Sequence, residues 1–497
     1  MTPPSDTPSV FRTNRRIRIG IWGLGRGTSF YNSLRALNFD VVAGCDFNEF
    51  MREDFLKSNP GAWVTADAEK FLKGDFEAVL LATFCPSHGG DALACLRHGK
   101  HVLSEVTAFT TPAEGVELYE TAERSGLVYN LAENYPFSAA NMYLRSKWEE
   151  GLFGDLMYAE YEYVHEIVRL AYSYNRGVVP IVPGNTVHNW RSWINFHYYN
   201  THSLGPVMYI TGLRPTRVVS LPTQKVIPGA IRAGTNGHPA PSLITLSNGG
   251  LMRNLMGQLS GDTAHQRIWG THGYAEIDHQ KLTLRLGGRG HAPAFEMEPT
   301  WKEMAELARV TGHGGGDFWV IYYFARQILE GTPAPFDLAT AVDCTLPGIL
   351  AYRSALENGT PQEIPDFRDP AQRDRYRDDH FRQEHFDPER DIFPEGADPA
   401  RTERFCRIMC DLIAGSAHYR AWRDWNRVKE EMKEPEKLAP LRENLAGVLT
   451  NYRATLVEAR RLADAYPESI AHQVLTDLLE FGGETHVLGK AIEAELA

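Results

Sequence analysis

The chain has 497 residues, more than one hydrophobic core holds, so it divides into two or three domains. It is 43% hydrophobic and 23% charged, the balance of a soluble globular protein, and its net charge of −12 argues against nucleic acid or an anionic membrane as partner. No run approaches the length of a membrane-spanning helix.

The N-terminus, residues 1–16, is polar and reads as flexible. Arg15-Arg16 precede an apolar run, as in a twin-arginine export signal. Glycines break that run, so it reads as a first strand and the expected compartment is cytoplasmic. Ile17, Ile19 and Ile21 suit a buried strand. Gly23 and Gly25 follow, and Thr28-Ser29 open a helical pattern through Leu34, Leu37 and Phe39. Strand, glycine turn and helix in that order bind a pyrophosphate: the glycines let backbone approach the ligand, and the helix N-terminus supplies N–H groups. The third glycine of the fingerprint is displaced, with Thr28 in its place and Gly27 one position early. Asp46 ends a second apolar strand, Val41 to Cys45, where a carboxylate takes the ribose hydroxyls of NAD. The expected cofactor contacts here are Gly23, Gly25, Arg26, Gly27, Thr28 and Asp46. The alternative is a Rossmann-like domain that holds no nucleotide.

Ala78–Ala82 is another strand, followed by Thr83 to His88 and a helix stopped by Gly99. A strand at His101–Leu103 leads into Ser104-Glu105-Val106-Thr107, and Pro112 starts a helix that Gly126 ends. Repeated β-α units of this length predict a doubly wound parallel sheet with its ligand at the carboxyl ends of the strands. That places Thr83, His88, Glu105 and Asn134 beside the cofactor. The six cysteines, at 45, 85, 95, 344, 406 and 410, form no C-x-x-C pair and read as free thiols, with no metal site.

A helix from about Ser138 to Glu150 leads to a strand from Leu156 through His165. Between about 215 and 290, short alternating runs predict an open, mostly antiparallel sheet with Asn248-Gly249 as a hairpin turn. Residues 368–396 read as an extended arm, and helices follow with an apolar stripe at Leu441, Leu445, Leu449, Tyr452 and Leu456. The expected division is 1–16 flexible, 17–136 an NAD-binding Rossmann domain, 137–367 an α+β substrate and oligomerisation domain, and 368–497 an arm with a helical extension.

The runs LATFCPSH, GGDALACLRHGKHVLSEV and PAEGVELYETAERSG resemble the Gfo/Idh/MocA family of NAD(P)-dependent sugar enzymes. Most members follow this strand with Glu-Lys-Pro, whose lysine assists proton transfer, whereas this chain has Glu105-Val106-Thr107. Glu133-Asn134, the strand end at Tyr163 and His165, and Tyr199-Asn200-Thr201-His202-Ser203-Leu204-Gly205-Pro206-Val207 resemble the glycoside hydrolase branch, the NAD-dependent α-N-acetylgalactosaminidases. Thr107, Asn200 and Ser203 depart from that pattern, which has proline, proline and glycine there. The resemblance runs to His313-Gly314-Gly315-Gly316-Asp317-Phe318 and Ile364-Pro365-Asp366-Phe367. It marks Glu133, Tyr163, Tyr199 and His202 as active-site residues. It also implies that the open sheet's outer face joins copies in a homo-oligomer.

Beside that resemblance stands the chemistry of the residue types. A glycoside whose hydroxyl is transiently oxidised acquires an acidic neighbouring C–H, and its aglycone leaves by elimination. Such a site needs proton acceptors of tunable pKa rather than the paired carboxylates of an ordinary glycosidase. Tyr199 or His202 then serves the oxidised hydroxyl, Tyr163 the C–H, and Glu133 as anchor or relay. The blander assignments are packing for Tyr163, structural hydrogen bonding for His165 and His202, and a nicotinamide or capping contact for Glu133. His165, His188, Trp190 and Arg191 are substrate-binding candidates. Three functions compete: an NAD-dependent glycosidase, a sugar or polyol oxidoreductase, and a non-enzymatic NAD-binding regulator. In each enzymatic reading the partner is a small sugar or glycoside.

Overall fold

The computed structural model describes residues 10–165, 194–227, 229, 238–259, 263–278, 281–288, 290–301, 304–383, 393 and 399–497, apart from 414–415, 433 and 486. The chain forms two compact units: one comprises 1–165, 195–225 and 235–384, the other 166–194, 226–234 and 385–497.

The first unit holds two sheets. In the first, β1 (Ile17–Trp22), β2 (Phe39–Cys45), β3 (Trp63–Thr65), β4 (Ala78–Leu81), β5 (His101–Ser104) and β6 (Tyr129–Leu131) lie in the order 3-2-1-4-5-6. Every pairing is parallel. Ile17, Ile19 and Ile21 are fully buried, as the β-branched run predicts. The strand order reverses between β1 and β4, and a crevice opens there at the carboxyl ends. The helix Pro112–Ser125 begins and ends where its sequence dictates: Thr111 caps the Glu114 N–H, Pro112 takes the first turn, and Gly126 closes it at φ 64°.

Two details differ from the sequence reading. The helical run after the glycine turn begins at Leu24, before Thr28, and ends at Ala36; Phe39 already belongs to β2. And Phe11, inside the segment expected to be flexible, is buried and stacks on Tyr322 at 5.6 Å between ring centroids. An aromatic side chain removed from water stabilises the ordered state enough to hold a short terminal segment.

The second sheet is built from β7 (Leu156–Val164), β8 (Pro215–Val219), β9 (Ala240–Leu246), β10 (Leu251–Gly257), β11 (Gln266–Gly270), β12 (Gly273–Asp278), β13 (Lys281–Leu286), β14 (Phe295–Met297) and β15 (Gln362–Glu363). Its order among the described residues is 14-13-12-11-7-10-9-8-15. Pairing is antiparallel except between β7 and β10. Period-two alternation sends Tyr161 and Tyr163 of β7 to the covered face and Tyr158 and Glu160 to the outer one. Over the covered face lies the helix Thr201–Thr211, buried from Thr201 through Ile210. That helix also packs on Ala139–Glu149 and on Leu338–Leu356. A helix buried all round holds its side chains in fixed rotamers, which suits a catalytic platform.

The second unit is helical, with Pro399–Ile413, Ser416–Lys429, Pro435–Ala465, Ile470–Thr485 and Val487–Leu496. Phe405, Ile408, Met409, Leu462, Val474 and Leu475 form one of its cores; Trp425, Leu445, Leu449 and Ile492 form another. The expected stripe is thus covered at Leu445, Leu449 and Tyr452. The arm that follows Phe367 stays with the first unit as far as Glu384. No described helix is long and apolar enough to cross a membrane.

Candidate functional site

The crevice side is set by glycine. Gly23 follows β1 with φ 91°, and a Cβ there would lie 2.1 Å from the Ala82 carbonyl oxygen. Only glycine fits there, and its N–H donates to the Cys45 carbonyl at 2.9 Å, which ties the turn to the end of β2. A Cβ on Gly27 would meet Ile21 Cγ2 at 2.5 Å. Gly27 therefore does the close helix–strand packing of the third fingerprint glycine, one position early. Asp46 ends β2, its Oδ2 accepting the Leu24 N–H at 2.8 Å and its Oδ1 the Asn48 N–H at 2.9 Å. Burial pushes its carboxyl up, and these backbone donors pull it back.

Arg26 reaches out of the turn to two carboxylates. Its Nε donates to Glu105 at 2.7 Å, and its two terminal nitrogens donate to the Asp317 oxygens at 2.9 and 2.8 Å. Asp317 is fully buried and also receives the Asn134 amide at 2.8 Å and His313 Nδ1 at 3.1 Å. Burial alone raises this carboxyl, but His313 and Arg26 together hold it well below the usual range. Asn134 Oδ1 is buried with no hydrogen-bond partner among the described residues. A tight glycine turn at the end of β1, a carboxylate at the end of β2 and an unmatched acceptor after β6 fit a dinucleotide.

Two other expected cofactor residues, Thr83 and His88, have partners within the protein. The Thr83 hydroxyl donates to Asp91 at 2.6 Å. His88 is buried, with Nδ1 3.2 Å from the Thr107 carbonyl and Nε2 3.3 Å from the Thr83 carbonyl. Both ring nitrogens thus face backbone, and burial lowers the imidazole pKa. The ring ties the loop after β4 to the loop after β5.

Across the crevice stands a line of proton-carrying groups. Glu133, fully buried after β6, places Oε1 and Oε2 at 2.8 and 2.9 Å from His202 Nδ1. The Tyr135 N–H also donates to Oε1, at 3.1 Å. His202 Nε2 lies 3.0 Å from the Tyr199 hydroxyl. The carboxylate fixes the tautomer with its proton on Nδ1, which leaves Nε2 to accept from Tyr199. Tyr199 ends the short turn Phe196–Tyr199 and His202 opens the next helix, so the two share a face as their spacing predicts. Tyr163 packs edge-on to the same imidazole at 4.8 Å, and Tyr135 stacks on it at 4.3 Å. His165 follows the strand, 5.4 Å from the Tyr163 ring. The structure therefore brings Glu133, Tyr163, Tyr199, His202 and His165 together. His188, Trp190 and Arg191 lie outside the described residues.

Tyr135, His313 and Asp317 join the site without having been assigned there. Their signals were in plain view: Tyr135 follows Glu133-Asn134, and His313 and Asp317 bracket a triple glycine.

Residues 17–133 match the family described as "Oxidoreductase family, NAD-binding Rossmann fold", and residues 288–373 match "Glycosyl hydrolase 109, C-terminal domain". Glycosyl hydrolase family 109 proteins of Solibacter usitatus and Saccharopolyspora erythraea are both 27% identical, over 404 and 408 residues. Each covers 72% of this chain, and the matches span 89% and 84% of the relatives. Among solved structures, levoglucosan dehydrogenase in complex with NADH and levoglucosan superposes at TM-score 0.60 with 16% identity, over 71% of this chain and all of that one. An inositol dehydrogenase homolog from Azotobacter vinelandii, complexed with NAD+, gives 0.58 with 18% identity, over 71% and 98%. The fold is that of these dehydrogenases. The chain resembles the Gfo/Idh/MocA family in its glycosyl hydrolase 109 branch, and its first sheet is an NAD-binding Rossmann domain.

Proposed function

We propose that this chain is an NAD-dependent glycosidase that works by transient oxidation of a sugar hydroxyl. Its similarity to the glycosyl hydrolase 109 relatives and its NAD-binding fold support a glycosidase or a sugar oxidoreductase. One observation favours the first: Glu133, His202 and Tyr199 form a hydrogen-bonded line with Tyr163 packed on the same imidazole, while position 106 carries a buried valine. Gly23, Gly25, Arg26, Gly27 and Asp46 are the residues that would hold NAD, with Glu105 and Asn134 beside them. Bound NAD supplies reversible hydride acceptance.

The chain's own groups handle the protons. Tyr199 takes the proton of the sugar hydroxyl as it gives its own to His202 Nε2, and Glu133 stabilises the imidazolium that results. Tyr163 removes the C–H proton beside the oxidised carbon. The aglycone then leaves by elimination, water adds to the unsaturated sugar, the ketone takes back its hydride, and the same groups return their protons. On this reading the substrate is a sugar glycoside, with an α-N-acetylgalactosaminide the first to try. Tyr158, Trp269 and Tyr274, adjoining on the outer face of the second sheet, form the surface for a second copy.

The test is hydrolysis of 4-nitrophenyl α-N-acetylgalactosaminide and related glycosides in deuterium oxide. The released sugar is expected to carry deuterium beside the oxidised carbon, with no net NADH. Stoichiometric NADH with an unexchanged C–H would establish the oxidoreductase instead. The levoglucosan and inositol dehydrogenase likenesses leave that second reading open on fold alone.

A further inference from the structure

The arm after Phe367 plays no part in the chemistry above, yet it runs beneath the turn that carries Tyr199. Its path is fixed by buried and half-buried bonds. Arg368 donates to Asp343 at 2.7 Å, and Arg353 donates to Asp379 at 2.6 Å. The Asp379 carbonyl accepts the Ala113 N–H at 2.9 Å. Phe381 packs against Tyr352 at 5.9 Å, and Tyr352 against Tyr198 at 5.7 Å. Two residues beyond Phe381 lies Gln383, itself buried. Its backbone N–H donates to the Tyr198 hydroxyl at 2.9 Å, and its side-chain oxygen accepts the Asn195 N–H.

Asn195 caps the turn Phe196–Tyr199, its Oδ1 accepting the His197 N–H at 3.0 Å. On another side of that turn is the helix Leu338–Leu356. A Cβ on its Gly348 would stand 2.2 Å from the His197 carbonyl oxygen, so helix and turn are in backbone contact there. The turn is thus held at its cap by Gln383 and at its middle by the helix. Its last residue is Tyr199.

We propose that Gln383 is a positioning residue: by holding Asn195 and Tyr198 it sets the Tyr199 hydroxyl against His202. The arm therefore acts in turnover as well as in folding. This rests on the reading of Tyr199 as an acid/base group. Displacement of a reacting group by about 1 Å costs on the order of 10²-fold in rate, which sets the scale.

The test uses four full-length chains: the natural one, Gln383→Met, Tyr199→Phe and the double variant. Turnover is read on the 4-nitrophenyl glycoside that the natural chain cleaves, and amide hydrogen exchange is read over residues 195–204. Gln383→Met is expected to lower kcat about 10- to 100-fold, with NAD affinity unchanged. It is expected to add little to Tyr199→Phe, because both act through one hydroxyl. Exchange should quicken over 195–204 and stay unchanged in the first sheet. Gln383→Glu, which keeps the acceptor, should restore most of the rate. Full activity or unchanged exchange in Gln383→Met overturns the proposal while leaving the site reading intact, and so does full multiplication of the two losses. Full activity in Tyr199→Phe overturns the site reading itself, and the proposal with it. If Gln383→Met does not fold, Tyr198→Phe removes the acceptor of the Gln383 N–H and is held to the same outcomes.

Discussion

Replacing Glu133 by glutamine tests the proton line at its buried end. The substitution keeps the shape and one acceptor, so His202 can still hold its Nδ1 proton in place. What it removes is the negative charge. Both carboxylate oxygens lie within 2.9 Å of Nδ1, in a fully buried position. With the charge centres taken as about 4 Å apart and an effective dielectric of about 20, the attraction to an imidazolium is about 4 kcal/mol. That corresponds to a factor of about 10³ in any step that charges His202. Glu133→Gln is therefore expected to lower kcat by about 10²–10⁴. NAD binding should be unchanged, since Gly23, Arg26 and Asp46 are untouched. The assay is steady-state hydrolysis of a 4-nitrophenyl glycoside, beside titration of NAD by intrinsic fluorescence. A kcat within a few-fold of the natural value would refute the relay and return Glu133 to a capping role for the Tyr135 N–H. Loss of NAD with unchanged chemistry would assign Glu133 to the cofactor.

Two further outcomes follow from the crevice side. Asp46 should repel a 2′-phosphate, so NAD is expected to bind more tightly than NADP, and Asp46→Ala to narrow or reverse that preference; equal affinities in the natural chain would remove the assignment. Asp317, whose carboxyl is held below its ordinary value, stabilises the fold most where the unfolded carboxyl is also ionised, above about pH 4. The stability gap between the natural chain and Asp317→Asn, read as urea midpoints, should then be about 3–5 kcal/mol near neutrality. It should shrink as pH falls below about 4, and a gap that widens on acidification would contradict the ion-pair account.

The sequence was most legible where chemistry is local. Ile17 to Asp46 announced a dinucleotide fold because strand, glycine turn and carboxylate lie within one β-α-β unit. Pro112 and Gly126 marked a helix because capping needs only neighbouring residues. Tyr199 and His202 meet because their spacing spans one turn. Pairing at long range was not legible. Arg26 and Asp317 stand 291 positions apart, and no periodicity connects them. His88 was placed in the right loop, but its direction depends on the Thr107 carbonyl 19 residues away. The displaced glycine was misleading for another reason. The fingerprint counts positions, whereas the packing asks only for a residue without Cβ against Ile21, and Gly27 meets that need.

The valine at position 106 follows the same physical logic. Glu105 is already engaged by Arg26 and by the Val106 N–H at 3.2 Å, and the Val106 side chain is buried. A lysine there would bring a second cation to a carboxylate that is already paired, and burial would penalise its charge. The proposed function therefore assigns the proton chemistry to Tyr163, Tyr199 and His202, which stand on β7 and on the turn and helix that pack near it. Glu133 alone among these four grows from the first sheet. It joins the end of β6 to an imidazole carried by the helix over the second sheet, 69 residues on. A change in how the two layers meet would be felt first in the bond between Glu133 and His202, and through it at Tyr199. On the proposed reading the labour is divided by sheet: the first presents the cofactor, the second carries the groups assigned to the protons, and the buried Glu133 carboxylate bonds one to the other.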